Sequence, residues 1–350
     1  MPILLNQNDP AIDQPLAPSY NSFNMQELSR RDFFKYALAG AGALLAAKFI
    51  SACSAPQTAP QVVPVPAAPE KNEPAAPSAK YPDIAVVRGG EPEALAREAV
   101  DLLGGMKRFV KKGDNVIIKP NIGPAMRTYE YAATTNPWLV AAVVKMCLEA
   151  GAGRVRVMDK PFSGTAESGF ANSGIREQVE KAGGEIELMS RFKFVSTDIP
   201  QGKDVKKWDI YEDILKADVL INMPIAKQHG SSRLTLGMKN LMGTINSAQM
   251  FHINLHQRIA DLASRVRPAL TIVDAIRILT ANGPTGGNLS DVKKMDTVIA
   301  GTDIVAVDSY ATSLFGLKPE DIPYIKIASA MGLGTSDLGK LEIKEVALGS

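Results

Sequence analysis

The chain has 350 residues, of which 45% are hydrophobic and 22% charged, which is enough to build a domain with a sizeable core. Its 39 basic and 37 acidic residues leave a net charge of +2, so electrostatics give no case for nucleic-acid binding. The two cysteines are Cys53 and Cys147. If Cys53 is modified, an intramolecular disulfide is excluded.

The N-terminal region carries the most distinctive pattern in the sequence. Arg30 and Arg31 precede two phenylalanines, a lysine and a mostly apolar run over residues 36–50, and small residues then lead into Cys53. The first part resembles a twin-arginine export signal, and the second resembles the lipobox of a bacterial lipoprotein. The run is shorter than the roughly 18 to 20 apolar residues that cross a bilayer, and Lys48 interrupts it. We therefore predict a signal peptide over residues 1–52, read by the twin-arginine translocation machinery, and lipidation of Cys53.

Residues 53–80 are rich in proline and alanine and contain almost no bulky apolar side chains. Such a segment cannot bury enough surface to offset the entropy lost on ordering, so it is predicted to be a tether. Residues 81–350 are then expected to form a single α/β domain. This organisation predicts an exported protein, either lipid-anchored to the outer face of a bacterial membrane or periplasmic.

Beyond the tether, short β-rich runs alternate with helical patterns. This alternation predicts an α/β fold with a mainly parallel sheet and helices on both faces. The predicted strands are Ile84–Val87, Asn115–Lys119, Arg154–Met158, Val219–Asn222, Leu270–Val273 and Val298–Ala300. The predicted helices are Pro92–Val110, Pro137–Ala150, Ser168–Ala182, Met250–Val266, Ile304–Phe315 and Pro323–Met331.

Polar or glycine-rich turns follow several of the predicted strands. Such turns occur at Lys119-Pro120-Asn121, Asp159-Lys160, Asn222-Met223-Pro224 and Asp274. In open α/β sheets, ligands bind beyond the carboxyl ends of the strands. The turns therefore predict one shared cleft.

The densest group of polar residues lies within residues 222–243. Lys227 and His229 stand two residues apart, and Thr235 and Lys239 have the i,i+4 spacing that places two side chains on one helix face. Two ammonium groups with hydroxyl and amide donors predict a pocket for phosphate or carboxylate. The alternative is a polar loop whose lysines extend into solvent.

His252 and His256 stand four residues apart on a predicted helix. At roughly 100° per residue their side chains point about 40° apart, at the edge of an apolar stripe. Such a pair can bind a metal ion, and an imidazole can act as acid or base near neutral pH. No glutamate stands between them, so the zincin pattern is missing. The alternative is two hydrogen-bonded histidines at the boundary of the core.

Three other residues have structural interpretations. Cys147 lies in an apolar helical pattern, which predicts a buried structural thiol. Asp303 stands where a helix N-cap is expected, whereas Asp308 falls inside an apolar helix and requires a partner. The glycine-rich segment 281–288 is predicted to be a turn.

Together these residues resemble a known family. The matching positions are Lys119-Pro120-Asn121, Pro224, Lys227, His229, Thr235, Lys239-Asn240, Gly243, His252, His256, Asp261, Asp274, Gly283-Pro284 and Gly287. Their order and spacing resemble the bacterial and archaeal family called domain of unknown function 362, over about residues 84–340. Many members of that family carry an appended ferredoxin-like segment with cysteine-rich iron–sulfur motifs. This chain departs from that pattern, because two cysteines cannot by themselves hold a cluster.

From these residues and the resemblance we predict an enzyme that acts on a small anionic ligand. The expected catalytic residues are Lys227, His229 and Lys239, and the expected ligand-binding residues are Lys119, Asn121, Asn222, Thr235, Asn240 and Asp274. His229 is the first choice for acid–base work, because it leaves the same strand end as the predicted anion pocket. His252 and His256 are the metal ligands if the reaction is metal-assisted. The alternative is a non-catalytic binding protein, or an accessory subunit of an envelope redox complex whose iron–sulfur clusters lie in a partner protein.

Overall fold

The computed structural model describes residues 81–349. The predicted signal peptide over residues 1–52 and the predicted tether over residues 53–80 lie outside this range, as do Arg30, Arg31 and Cys53. Inside it, no helix combines the length and the apolar character that crossing a bilayer requires.

A ten-stranded sheet organises the described residues. The strands of the structure are Ile84–Arg88 (β1), Asn115–Lys119 (β2), Arg154–Val157 (β3), Glu185–Ile186 (β4), Phe194–Asp198 (β5), Lys207–Tyr211 (β6), Val219–Asn222 (β7), Ile225–His229 (β8), Arg233–Thr235 (β9), Leu270–Leu279 (β10), Val292–Gly301 (β11) and Ile343–Ala347 (β12). Eight strands lie in the order β12-β1-β11-β10-β7-β2-β3-β4. β8 pairs with β10, β9 pairs with β8, and β5 and β6 form a separate sheet. From β10 to β4 neighbouring strands are parallel, and β11 is antiparallel to both β1 and β10. The predicted mainly parallel α/β fold is confirmed.

The helices connect these strands. The α-helices are Pro92–Leu102 (α1), Met106–Phe109 (α2), Pro137–Glu149 (α3), Ala166–Asn172 (α4), Ile175–Lys181 (α5), Glu212–Lys216 (α6), Gly237–Asn240 (α7), Leu255–Arg265 (α8), Ile304–Ala311 (α9) and Pro323–Ala330 (α10). The 3₁₀ segments are Tyr129–Tyr131, Arg191–Lys193, Leu241–Thr244, Ala248–Asn254, Leu289–Asp291, Thr312–Phe315, Pro319–Asp321 and Leu338–Lys340.

Two of the predicted helices are divided in the structure. Gly104 and Gly105 adopt φ of 100° and 78° between α1 and α2, and Gly174 adopts φ of 76° between α4 and α5. A residue with positive φ cannot continue a right-handed helix, so each glycine ends one helix before the next begins. The helix predicted from Met250 begins at Leu255 instead, and a 3₁₀ segment precedes it.

Both faces of the sheet are covered by helices, as the alternation of buried residues along β2 illustrates. Ile117 belongs to the hydrophobic core packed against α8, α9 and α10. Val116 and Ile118 belong to the opposite core, packed against α1, α3 and α5. Successive side chains of a strand point to opposite faces, so a continuous apolar run serves two cores. Cys147 lies buried in α3, where loss of hydration raises the pKa of its thiol to about 12.

The segment after β7 differs from its prediction as a strand end followed by a polar loop. Residues 225–229 form β8, which pairs with β10 and with β9. Ile225 and Ala226 are buried, so this segment gains a strand through apolar contacts that local sequence does not specify. The antiparallel register places Lys227 directly opposite Thr235.

Candidate active site

A cavity of about 480 Å³ lies at the carboxyl ends of β2, β3 and β8. It brings together eight of the predicted site residues, namely Lys119, Asn121, Lys227, His229, Thr235, Lys239, Asn240 and His252. Asn222, Asp274 and His256 do not line it. These positions come from four separate parts of the chain, and the parallel strand ends are what bring them to one edge of the sheet.

One part of the cavity floor is a buried ion pair. Lys119 Nζ lies 2.7 Å from Asp159 Oδ1, and both side chains are almost fully buried. Lys119 Nζ also donates to Pro120 O at 2.8 Å, and Asp159 Oδ2 accepts from the Ile122 amide at 3.0 Å. Burial lowers the pKa of Lys119 and raises the pKa of Asp159, and their mutual attraction opposes both shifts. The pair therefore adds no net charge to the cavity.

Lys227 is held by three oxygen atoms. Its Nζ donates to Gly123 O at 2.7 Å, to Ala133 O at 2.6 Å and to Asn121 Oδ1 at 3.2 Å. Burial lowers the pKa of Lys227 well below its ordinary value, and the nearby ammonium of Lys239 lowers it further. The three acceptors oppose that shift by stabilising the charged form. Because they use all three N–H groups, Lys227 supplies charge to the cavity but no free donor.

Three of the predicted ligand-binding amides bond to one another. Asn121 Nδ2 donates to Asn240 Oδ1 at 2.9 Å, and Asn240 Nδ2 donates to Asn222 Oδ1 at 2.9 Å. Asn222 Nδ2 then donates to Gly237 O at 3.0 Å. This chain of amides connects Lys227 to the start of α7. The expected role of Asn222 as a ligand contact is therefore replaced by a positioning role, because its amide is buried behind Asn240.

Lys239 differs from the other cavity lysines, because no residue in the range 81–349 forms a hydrogen bond or ion pair with its ammonium group. Burial, together with the nearby Lys119, lowers the pKa of Lys239 to about 8. Thr235 Oγ1 also lines the cavity and is buried without a hydrogen-bond partner among the described residues. The predicted helical i,i+4 pairing is wrong, since Thr235 ends β9 and α7 begins only at Gly237. Both side chains still reach the same cavity.

His229 is held as a neutral imidazole with a defined tautomer. Its Nδ1 accepts from the Ser231 amide at 3.1 Å and the Ser232 amide at 3.3 Å. The ring proton therefore lies on Nε2. Burial, with Lys239 and Lys227 nearby, lowers the pKa of His229 to about 3. The low pKa disfavours a protonated His229 near neutral pH, and the tautomer makes Nε2–H a hydrogen-bond donor.

His252 and His256 do not face a common site. The His252 ring stacks on His229, with ring centroids 6.4 Å apart, whereas the His256 ring stacks on Tyr324, also at 6.4 Å. His252 Nδ1 contacts Gln249 O at 3.1 Å, and because a carbonyl oxygen only accepts, the contact places the proton of a neutral ring on Nδ1 and its lone pair on Nε2. The expected i,i+4 metal pair is separated because His252 precedes the first turn of α8. Across residues 81–349, no cluster of three or more His, Cys, Asp or Glu side chains could hold a metal ion.

Two buried aspartates accept hydrogen bonds from backbone amides and do not line the cavity. Asp274, expected in the ligand site, accepts from the Asn136 amide at 2.6 Å and the Ile276 amide at 3.0 Å. Asp308, which required a partner, accepts from the Gly237 amide at 2.6 Å and the Met238 amide at 2.9 Å. Burial raises the pKa of each carboxyl to about 7, against the effect of these donors. Asp274 therefore anchors the start of α3, and Asp308 anchors the turn that carries Lys239.

Sequence reasoning did not assign a site role to Asp159, Lys160 or Phe162, which also line the cavity. Their position directly after β3, at the same sheet edge as Lys119, was the signal that pointed to them. Lys160 Nζ donates to Asn246 Oδ1 at 3.1 Å. The Phe162 ring lies with its centroid 5.8 Å from Lys227 Nζ.

Comparison with known proteins shows which family this chain resembles. Residues 116–313 match the family model described as "Domain of unknown function (DUF362)". The thylakoid-associated protein sll1697 of Synechocystis sp. is 28% identical over 255 residues, which cover 69% of this chain and 75% of that protein. The lactate racemase apoprotein of Thermoanaerobacterium thermosaccharolyticum matches with a TM-score of 0.37 and 14% identity, over 62% of this chain and 54% of that one. The match thus spans about half the length of the racemase chain.

The matched range contains every residue that lines the cavity, from Lys119 to Pro284. It also contains β3, β8 and β9 and all of β2 except Asn115. More than half of the 350 residues fall within it. The chain belongs to the DUF362 family.

Proposed function

We propose that this protein is an enzyme that acts on a small organic anion bound in the cavity. The Lys239 ammonium carries the proposal, because it lies inside the cavity and has no partner among residues 81–349. A half-buried cation without a counterion is unfavourable, and a bound anion removes that cost. Three oxygen acceptors stabilise the charged form of the nearby Lys227, and Thr235 supplies an unused hydroxyl.

The two cavity histidines suit complementary steps of a proton transfer. The His229 Nε2–H group donates a hydrogen bond to a substrate oxygen on which negative charge develops. The free lone pair of His252 Nε2 accepts a proton from the substrate carbon or oxygen. Preorganised donors are most effective where water is excluded, and His229 is only 8% exposed. These roles define proton abstraction from a bound organic anion as the proposed reaction class.

The binding step is tested by titrating acetate, butyrate and inorganic phosphate into wild type, Lys239→Met and Lys107→Met by calorimetry. Lys107 is exposed on α2, away from the cavity, and serves as the matched control. Loss of a charge-assisted hydrogen bond of about 1.5–3 kcal/mol corresponds to roughly ten- to a hundredfold weaker binding for Lys239→Met. Equal affinity of all three proteins for every anion would refute the proposed site.

Binding is also expected to depend on pH. The anion requires the protonated Lys239, whose pKa is about 8 in the free protein. Affinity should therefore be constant between about pH 6 and 7.5 and should fall about tenfold per pH unit once the pH exceeds the lysine pKa. A flat profile up to pH 10 would show that another cation binds the anion.

Catalysis is separated from binding by following hydrogen–deuterium exchange of the bound anion in D₂O by NMR. Wild type should exchange a substrate proton, and His252→Gln should bind the anion but exchange it far more slowly. Binding without exchange in wild type would instead favour the non-catalytic alternative, including an accessory subunit of a redox complex.

We also propose that the chain is exported through the twin-arginine machinery and anchored to a membrane through a lipid on Cys53. The sequence around Arg30 and Arg31 supports the export route, and the small residues before Cys53 support lipidation. A thylakoid-associated relative agrees with a protein that works at a membrane. An iron–sulfur partner protein remains part of the proposal for the accessory role.

A further inference from the structure

The cavity has a polar floor and an apolar mouth. At the floor, Lys119 and Lys227 are each 1% exposed and Thr235 is 4% exposed. At the mouth, the Phe162 side chain is 57% exposed. The unpaired ammonium of Lys239 lines the same cavity, and Lys239 is half-buried, so a ligand is expected to enter with its charged group directed inward.

The floor provides hydrogen bonds for a single small head group. The Lys119 charge is neutralised by Asp159, and the Lys227 donors are already used by backbone and amide oxygens. The free donors are the Lys239 ammonium, the Thr235 hydroxyl and the His229 Nε2–H group. One of these three donor groups carries a positive charge. They match a carboxylate, which carries one negative charge and accepts hydrogen bonds through two oxygens.

An apolar wall continues from this floor to the mouth. Met242 and Ile245 are buried beside the cavity, and Ala248 and Pro284 extend the wall outward. Phe162 completes it, and its ring leaves no room for a side chain at residue 123: a Cβ added to Gly123 would lie 2.8 Å from the ring. A hydrophilic ligand would leave this wall exposed to water, whereas an apolar body would cover it.

We propose that the ligand of this site is an amphiphilic carboxylate, with its head on Lys239 and its hydrocarbon body along the wall formed by Phe162, Met242 and Ile245. This inference rests on the proposed anion site and adds the chemical class of the substrate. The ligand can come from solution or from a membrane, because the same chemistry describes a dissolved short-chain acid and a membrane-held fatty acid.

The experiment compares butyrate, hexanoate and octanoate with butyl, hexyl and octyl phosphate by calorimetry. Carboxylate affinity should increase about fourfold per added CH₂, the ratio that corresponds to about 0.8 kcal/mol per buried CH₂. Phe162→Ser should reduce this increment. Phe192→Ser removes an 80% exposed phenylalanine outside the cavity and should behave as wild type.

Carboxylate affinity that does not change with chain length, or tighter binding of the phosphates throughout, would overturn the assignment. Either result would leave the proposed anion site intact if Lys239→Met still weakened binding of acetate and butyrate. Failure of the proposed function would instead appear as equal binding of these anions by wild type and Lys239→Met. Oleate in phosphatidylcholine vesicles, tested by co-sedimentation against oleate-free vesicles, identifies the source. Retention of the protein on the oleate vesicles indicates a membrane-held ligand. Octanoate binding without such retention indicates a dissolved ligand. Both results support an amphiphilic carboxylate.

Discussion

Gly243 leaves the space that the buried ion pair of the site requires. It packs directly on the buried pair formed by Lys119 and Asp159. A Cβ at this position would lie 1.9 Å from Asp159 Oδ1 and 2.9 Å from Lys119 Nζ. Neither atom can move aside without leaving the other charge unpaired in the protein interior. The requirement for glycine is therefore one of space, since its φ is not positive.

We predict that Gly243→Ala lowers the free energy of unfolding by about 3–5 kcal/mol, the cost of disrupting a buried ion pair. Gly230→Ala is the matched control, because a Cβ there meets nothing within 4 Å, and it should change stability by less than about 0.5 kcal/mol. Urea unfolding followed by circular dichroism measures both. A Gly243→Ala protein as stable as the control would mean that the pair relaxes without loss.

The histidines illustrate why residue type alone does not define a role. His229 accepts two amide hydrogen bonds at Nδ1, and His252 contacts a carbonyl oxygen through the same atom. The first ring is therefore a donor through Nε2 and the second an acceptor. Both were candidates for acid–base work, and only the backbone groups next to each ring distinguish them.

Among the elements, the short helix α7 controls the position of Lys239. It has four residues, Gly237–Asn240, too few to be stable by itself. Asp308 on α9 accepts hydrogen bonds from the first two of its amides. A Cβ on Gly237 would lie 2.7 Å from Asp308 Oδ1, so the close approach requires glycine. The carboxylate thus replaces the missing helical neighbours.

We predict that Asp308→Asn destabilises the protein by about 1–3 kcal/mol, because an amide oxygen can accept only one N–H while its NH₂ group faces the other. It should also weaken anion binding at pH 7, since α7 would no longer hold Lys239 in place. Asp101→Asn, at an exposed position on α1, is the control for both measurements. Loss of stability with unchanged anion affinity would show that Lys239 is positioned by other contacts.

For the whole molecule, export is expected to depend on Arg30 and Arg31 together. Lysine at both positions keeps the charge but removes the pattern that the twin-arginine machinery reads, so precursor should accumulate in the cytoplasm. Cell fractionation in the bacterial host measures this, with Arg154→Lys in the exposed part of β3 as the control. Unchanged export of the double variant would refute the signal assignment.

Much of the architecture was predictable because its signals are local. The strand β2 has the predicted bounds, Asn115–Lys119, since a β-branched run ends at a polar turn. The helix α3 begins at Pro137, where the Asn136 side chain accepts from two amides, and this cap is visible in sequence. The strand β8 was not predicted, because only its pairing with β10 and β9 separates it from a loop.

The sequence by itself determined the fold class, the family resemblance and most of the lysines, histidines and amides of the cavity, because periodicity and turn residues act over a few neighbouring positions. The tertiary structure decided which of these groups remain free for a ligand. Lys227 is occupied by oxygens 94 to 106 positions away, whereas Lys239 has no partner among the described residues. That difference depends on contacts between distant parts of the chain, and no local pattern in the sequence encodes it.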